Sequence, residues 1–151
     1  MRVYLHRIKL RKEDEKMAET NEKIVLPQKI GEGNINGAVG KANLPLYRMI
    51  LLGIFAGMFI AGGATTSSVA MHAVSNVGLA RLVAGCIFPV GLMMIVFVGG
   101  ELFTGDCMMI MGVVDGKVKT LAMIQTLAVV YLSNLIGAVI VAFFAYSCGQ
   151  L

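Results

Sequence analysis

Charge is scarce in this chain. Only 15% of its 151 residues are Asp, Glu, Lys or Arg, whereas a soluble domain of this length carries nearer ~25%. What charge there is lies at one end: ten of the thirteen Lys/Arg and six of the nine Asp/Glu fall in residues 1–48. None lies between Arg48 and Arg81, and none follows Lys119. Charge-free runs of that length, in a chain that is 57% hydrophobic, exclude an ordinary soluble domain, because only a far larger protein would cover them. They indicate an integral membrane protein with a polar N-terminal arm. Metal-ligating residues are also few. Cys86, Cys107 and Cys148 are widely spaced without a CxxC pair, and His6 and His72 are the two histidines. The ligand clusters of a metal site are missing, so no metal and no cofactor is expected. The cysteines read as small buried apolar residues.

The net charge of +4 is that of residues 1–48, ten Lys/Arg against six Asp/Glu, and so almost wholly that of the N-terminal arm. Basic residues beside a first span report orientation, so no nucleic-acid partner is expected. No secretory signal is expected, since the first 23 residues are charged throughout without an apolar core before a cleavage site. Met17 offers an alternative start, because Met1–Lys16 reads as a separate basic segment. Residues 1–45 form the arm. Glu22 to Asn43 has room for a short amphipathic helix, against which Pro27 and four glycines count. Asn43-Leu44-Pro45 reads as a helix start, with Asn43 near the cap.

Residues 46–151 make the transmembrane domain, an all-α membrane fold of three spans with the second broken by a loop. The first span covers about 46–71. Gly53 and Gly57 form a GxxxG whose small surface suits close helix packing. Thr65 to Ser68 are expected to bond their own backbone. The second span divides into residues 81–98 and 106–114. The third covers about 118–148, with Asn134 and Gly137 at its centre; Asn134 reads as an interhelical hydrogen-bonder rather than a ligand contact. The arm and the Asp115–Lys119 connection carry Lys/Arg, which places both on the cytoplasmic side of the plasma membrane.

The break is the informative feature. From Leu82 to Val114 the chain runs 33 residues, about 50 Å as one helix against a hydrocarbon core of roughly 30 Å. In its middle stands Gly99-Gly100-Glu101-Leu102-Phe103-Thr104-Gly105-Asp106. Interrupted backbone at membrane depth is tolerated only where it is buried in protein or lines a wet cavity. The start of the second half-helix would leave N–H groups that favour an anion. Thr104 adds a hydroxyl, while Leu102 and Phe103 add an apolar wall, a combination suited to a small, weakly hydrated monovalent ion. Each residue also has a structural reading. Thr104 or Asp106 would cap the short helix. Glu101, an acid that would repel an anion, is assigned to holding the loop. Gly100 and Gly105 would supply backbone conformations closed to other residues.

Gly100-Glu101-Leu102-Phe103-Thr104-Gly105, with Cys86 to Leu92 before it and Val130 to Gly137 after it, resembles the formate/nitrite transporter family. Lys41-Ala42-Asn43-Leu44-Pro45-Leu46 is similar to that family's lead into its first helix. The resemblance covers about residues 30–151. It implies an aquaporin-like six-helix protomer of two inverted three-helix repeats, assembled as pentamers, passing formate, nitrite, hydrosulfide or similar anions. It also implies pore positions at Leu102, Phe103 and Thr104, and at Phe88 and Leu92 upstream on the same helical face. Two departures stand out. Asp106 occupies a place where the family more often has Asn, and the second repeat with its pore histidine is absent; His72 does not match that histidine. The expectation is therefore half of an anion channel, in a homo-oligomer or with a separate chain supplying the second repeat. The alternative is a non-conducting membrane subunit or inactive remnant.

Overall fold

The computed structural model describes residues 27–150. Residues 1–26, and with them the choice between Met1 and Met17 as the start, lie outside them. The described chain forms α1 (Pro27–Ala42), α2 (Leu46–Met71), α3 (Val77–Ile87), α4 (Pro89–Val98), α5 (Phe103–Asp106), a 3-10 turn (Cys107–Met109), α6 (Ile110–Val114) and α7 (Thr120–Ser147). No strand occurs among the described residues. Three helical stretches, Leu46–Met71, Val77–Val98 and Thr120–Ser147, are long and apolar enough to cross a membrane. Their outward faces are apolar: Val96 is 73% and Phe97 89% exposed, which in water would be a liability and in lipid is the expected surface.

The bundle is built around α2, which packs most extensively on α7 and then on α4 and α3. Glycine makes the α2–α7 crossing close. A Cβ added at Gly57 would strike the Asn134 carbonyl, and one at Gly137 would strike the Ile54 carbonyl. At Gly53 it would lie 2.6 Å from Ser133 Cβ. On the other side of α2, a Cβ at Gly91 would lie 2.6 Å from the Phe59 carbonyl oxygen. In lipid, van der Waals packing of this kind replaces the hydrophobic effect as the source of helix association.

Several element boundaries depart from the sequence reading. The second span starts at Val77 rather than 81, because Asn76 caps it: its Oδ1 accepts the Leu79 N–H at 3.1 Å. Pro89 divides that span into α3 and α4 without ending it, since proline is tolerated in the first turn of a helix. Asn43 does not cap the first span. Pro45 occupies that position, and Asn43 Nδ2 instead donates to the Val39 carbonyl at 2.8 Å, closing the end of α1. Cys86, Cys107 and Cys148 are exposed rather than buried. Thr65 and Thr66 bond the carbonyls one turn back, whereas Ser67 reaches across to the Ala84 carbonyl at 3.3 Å.

The arm forms a full helix despite Gly31, Gly33, Gly37 and Gly40. Tertiary packing overrides the propensity. Ala38 is buried with Met109 and Val118, ringed by Val39, Ala42, Val113, Ala122 and Met123. Gly112 makes room, since a Cβ there would lie 2.8 Å from Ala38 Cβ. The arm therefore docks on the second half of the broken span.

Candidate functional site: the break in the second span

The break begins where α4 stops. Gly99 adopts a left-handed conformation (φ 70°), which only glycine takes without strain. Its neighbour Gly100 donates its N–H back to the Ile95 carbonyl at 2.9 Å, which the Gly99 N–H also reaches, closing the last turn. Gly100 itself sits 3.3 Å, at its would-be Cβ, from Ala56 and Ile95 side chains, so the loop is pressed against α2. Leu102 is extended (φ −114°, ψ 129°), and the Asp106 N–H then bonds the Leu102 carbonyl at 2.9 Å to start α5. Neither Gly100 nor Gly105 has a positive φ, so the conformational role expected of them falls to Gly99 instead.

One side chain pins this loop. Asn134 Nδ2 donates to the Gly53 carbonyl of α2 at 2.8 Å and to the Glu101 carbonyl of the loop at 2.9 Å. Asn134 Oδ1 accepts the Phe103 N–H at 3.0 Å. A single amide from α7 thus satisfies polar backbone at the break and ties it to both neighbouring spans, as interrupted backbone in lipid requires. The Phe103 ring meets Tyr131, three residues before Asn134, edge-on at 5.5 Å between centroids.

A charged cluster anchors the other side. Lys41 Nζ, from the end of α1, donates to Glu101 at 2.5 Å and also to Asp106 Oδ1. Glu101 is buried and Asp106 is 0% exposed. Burial opposes the Lys41 charge, but hydrogen bonds to Asp106 and Glu101 and their attraction outweigh it, holding its pKa above the usual lysine value. Neither Thr104 nor Asp106 caps α5, whose N-cap position is held by Leu102. Asp106 is spent on Lys41, and the first amide of α5 is already taken by Asn134 rather than left free. The Glu101 carboxylate accepts from Lys41 Nζ and so links the loop to α1.

The tip of the break is left open. Thr104 is exposed, and Leu102 and Phe103 are half-buried beside it. Phe88 and Leu92 lie one turn apart across the Pro89 joint, 43% and 48% exposed. Among the described residues no group of three or more His, Cys, Asp or Glu is placed to hold a metal. The sequence singled out the loop residues but missed Lys41. Two acids in a membrane break call for a cationic partner, and that was the available signal.

Residues 28–151 match the profile of the formate/nitrite transporter family. The chain belongs to that family. It is 39% identical over 109 residues to a probable formate transporter of Methanothermobacter thermautotrophicus, covering 69% of this chain and 40% of that protein. It is 33% identical over 140 residues to the formate channel FocA of Haemophilus influenzae, covering 89% and 49%. A formate-nitrite transporter of Entamoeba histolytica is 34% identical over 105 residues, covering 68% and 30%. The chain thus spans half or less of the length of these relatives. It is an all-α membrane protein of a transporter family, with three helices able to span a bilayer.

Proposed function

We propose that this chain is the loop-bearing half of a pore for small monovalent anions such as formate, nitrite or hydrosulfide. The observation that carries the reading is the pinned break. Asn134 and Lys41 fix the loop from two sides, while Thr104 stays exposed at its tip. An exposed hydroxyl flanked by the apolar Leu102 and Phe103 offers one polar contact in an otherwise apolar constriction. A small monovalent anion is stripped of part of its hydration there and held weakly enough to leave. Phe88 and Leu92 extend the apolar wall along the same helix.

The arm sits on the cytoplasmic side of the plasma membrane, with the Lys117–Lys119 connection. The Lys41 clamp then lies toward that side. The remaining wall of the pore comes from a second three-helix unit, supplied by a further copy or by another chain, and the protomers assemble as pentamers. No covalent chemistry is involved. Formate uptake into vesicles carrying the purified chain, alone and co-reconstituted with a candidate second half, tests this. Uptake that is lost in Thr104→Ala supports the pore. Vesicles that stay tight in both preparations point instead to a non-conducting subunit or remnant.

A further inference from the structure

We propose that Glu101 and Asp106 hold one proton between them, so that with Lys41 they form a neutral cluster beside the pore loop. The geometry is one ammonium facing two carboxyl groups: Lys41 Nζ donates to Glu101 Oε2 and to Asp106 Oδ1. Asp106 is 0% and Glu101 8% exposed, so water does not compensate a second negative charge. Asp106 Oδ2 is buried and has no hydrogen-bond partner among the described residues. A fully ionised cluster would bury a surplus negative charge at a bare oxygen, which is costly in a protein interior and worse at membrane depth. Two carboxyl groups sharing one site relieve that cost by keeping a proton.

Among the described residues no other charge acts on the cluster. On α2, Tyr47 and Arg48 are exposed. Lys29 and Glu32 on α1 are exposed and stand at least about 2.5 turns from Lys41. Cys107, next to Asp106, is exposed. Asp115 and Lys117 pair with each other at 2.9 Å, and Lys119 is exposed. The α7 helix carries no acidic or basic residue; its Tyr131 faces Phe103 and its Tyr146 is exposed. Loss of the proton to solvent at alkaline pH leaves one positive against two negative charges, a net negative charge two residues from Thr104.

Infrared spectroscopy of the full chain, purified in an ester-free detergent and titrated with pH, tests this without any flux measurement. It therefore stands apart from the pore reading. The wild type should show the carbonyl band of one neutral carboxyl group at neutral pH, lost on alkalinisation. The band should vanish in Asp106→Asn and equally in Glu101→Gln, because the remaining carboxylate then pairs one-to-one with Lys41. It should persist in Lys41→Gln. Absence of the band in the wild type, which needs no variant to fold, overturns the proposal. So does its survival in Glu101→Gln, which would place the proton on Asp106 independently of its neighbour.

Discussion

Asn134 serves three backbone groups with one amide: the Gly53 carbonyl on α2, and the Glu101 carbonyl and Phe103 N–H of the break. Asn134→Leu keeps the bulk, removes all three bonds and strands the Glu101 carbonyl and the Phe103 N–H. At about 0.6 kcal/mol per interhelical bond, with an upper range near 1.7, the loss should be about 2 kcal/mol, read as an earlier unfolding midpoint in detergent titration. Asn134→Asp keeps the acceptor for Phe103 and loses both donors, so it should fall between. Lys41 is the corresponding anchor from the arm. Its raised pKa means the clamp contributes fully below lysine's ordinary pKa and is lost only as pH rises through the higher folded value. The unfolding midpoint in detergent titration at neutral pH should therefore fall in Lys41→Met. Asn134 was legible as a helix bonder because a lone amide in an apolar run needs a partner. Lys41 was not, because 60 and 65 residues separate it from its partners and no local pattern encodes that pairing.

At the scale of elements, glycine decides which helices touch. The added Cβ at Gly57 or Gly137 meets backbone carbonyls rather than flexible side chains, so the helices must move apart. Gly137→Ala should destabilise by about 1–3 kcal/mol, measured by the same detergent titration. Gly33→Ala, with nothing within 4 Å, should be neutral or stabilise α1 by up to about 1 kcal/mol. Asn76→Ala removes the cap of α3 and should cost about 1 kcal/mol. Hydropathy located the first span at its observed bounds, since Pro45 and the end of the apolar run mark both edges. It placed the second span's start four residues late because Arg81 looked like an edge; the cap at Asn76 carries the helix across it. The arm helix was weakened in the reading by its glycines, and what rescues it is a contact with Met109 and Val118 far along the chain.

At the scale of the whole molecule, the chain is a membrane protein of the formate/nitrite transporter family that matches half or less of its relatives' length. Three helices able to span a bilayer hold a well-anchored loop, and Phe88, Leu92 and Thr104 are exposed beside it. The family was legible from the loop and from the stretch around Asn134, because both are short and chemically demanding. The measurement that tests the central claim most directly is formate uptake into vesicles containing this chain with a complementary second half, wild type against Thr104→Ala. Uptake well above that of empty vesicles, falling several-fold in the variant at equal protein content, is the predicted result. Uptake equal to that of empty vesicles, or unchanged by loss of the Thr104 hydroxyl, would contradict it.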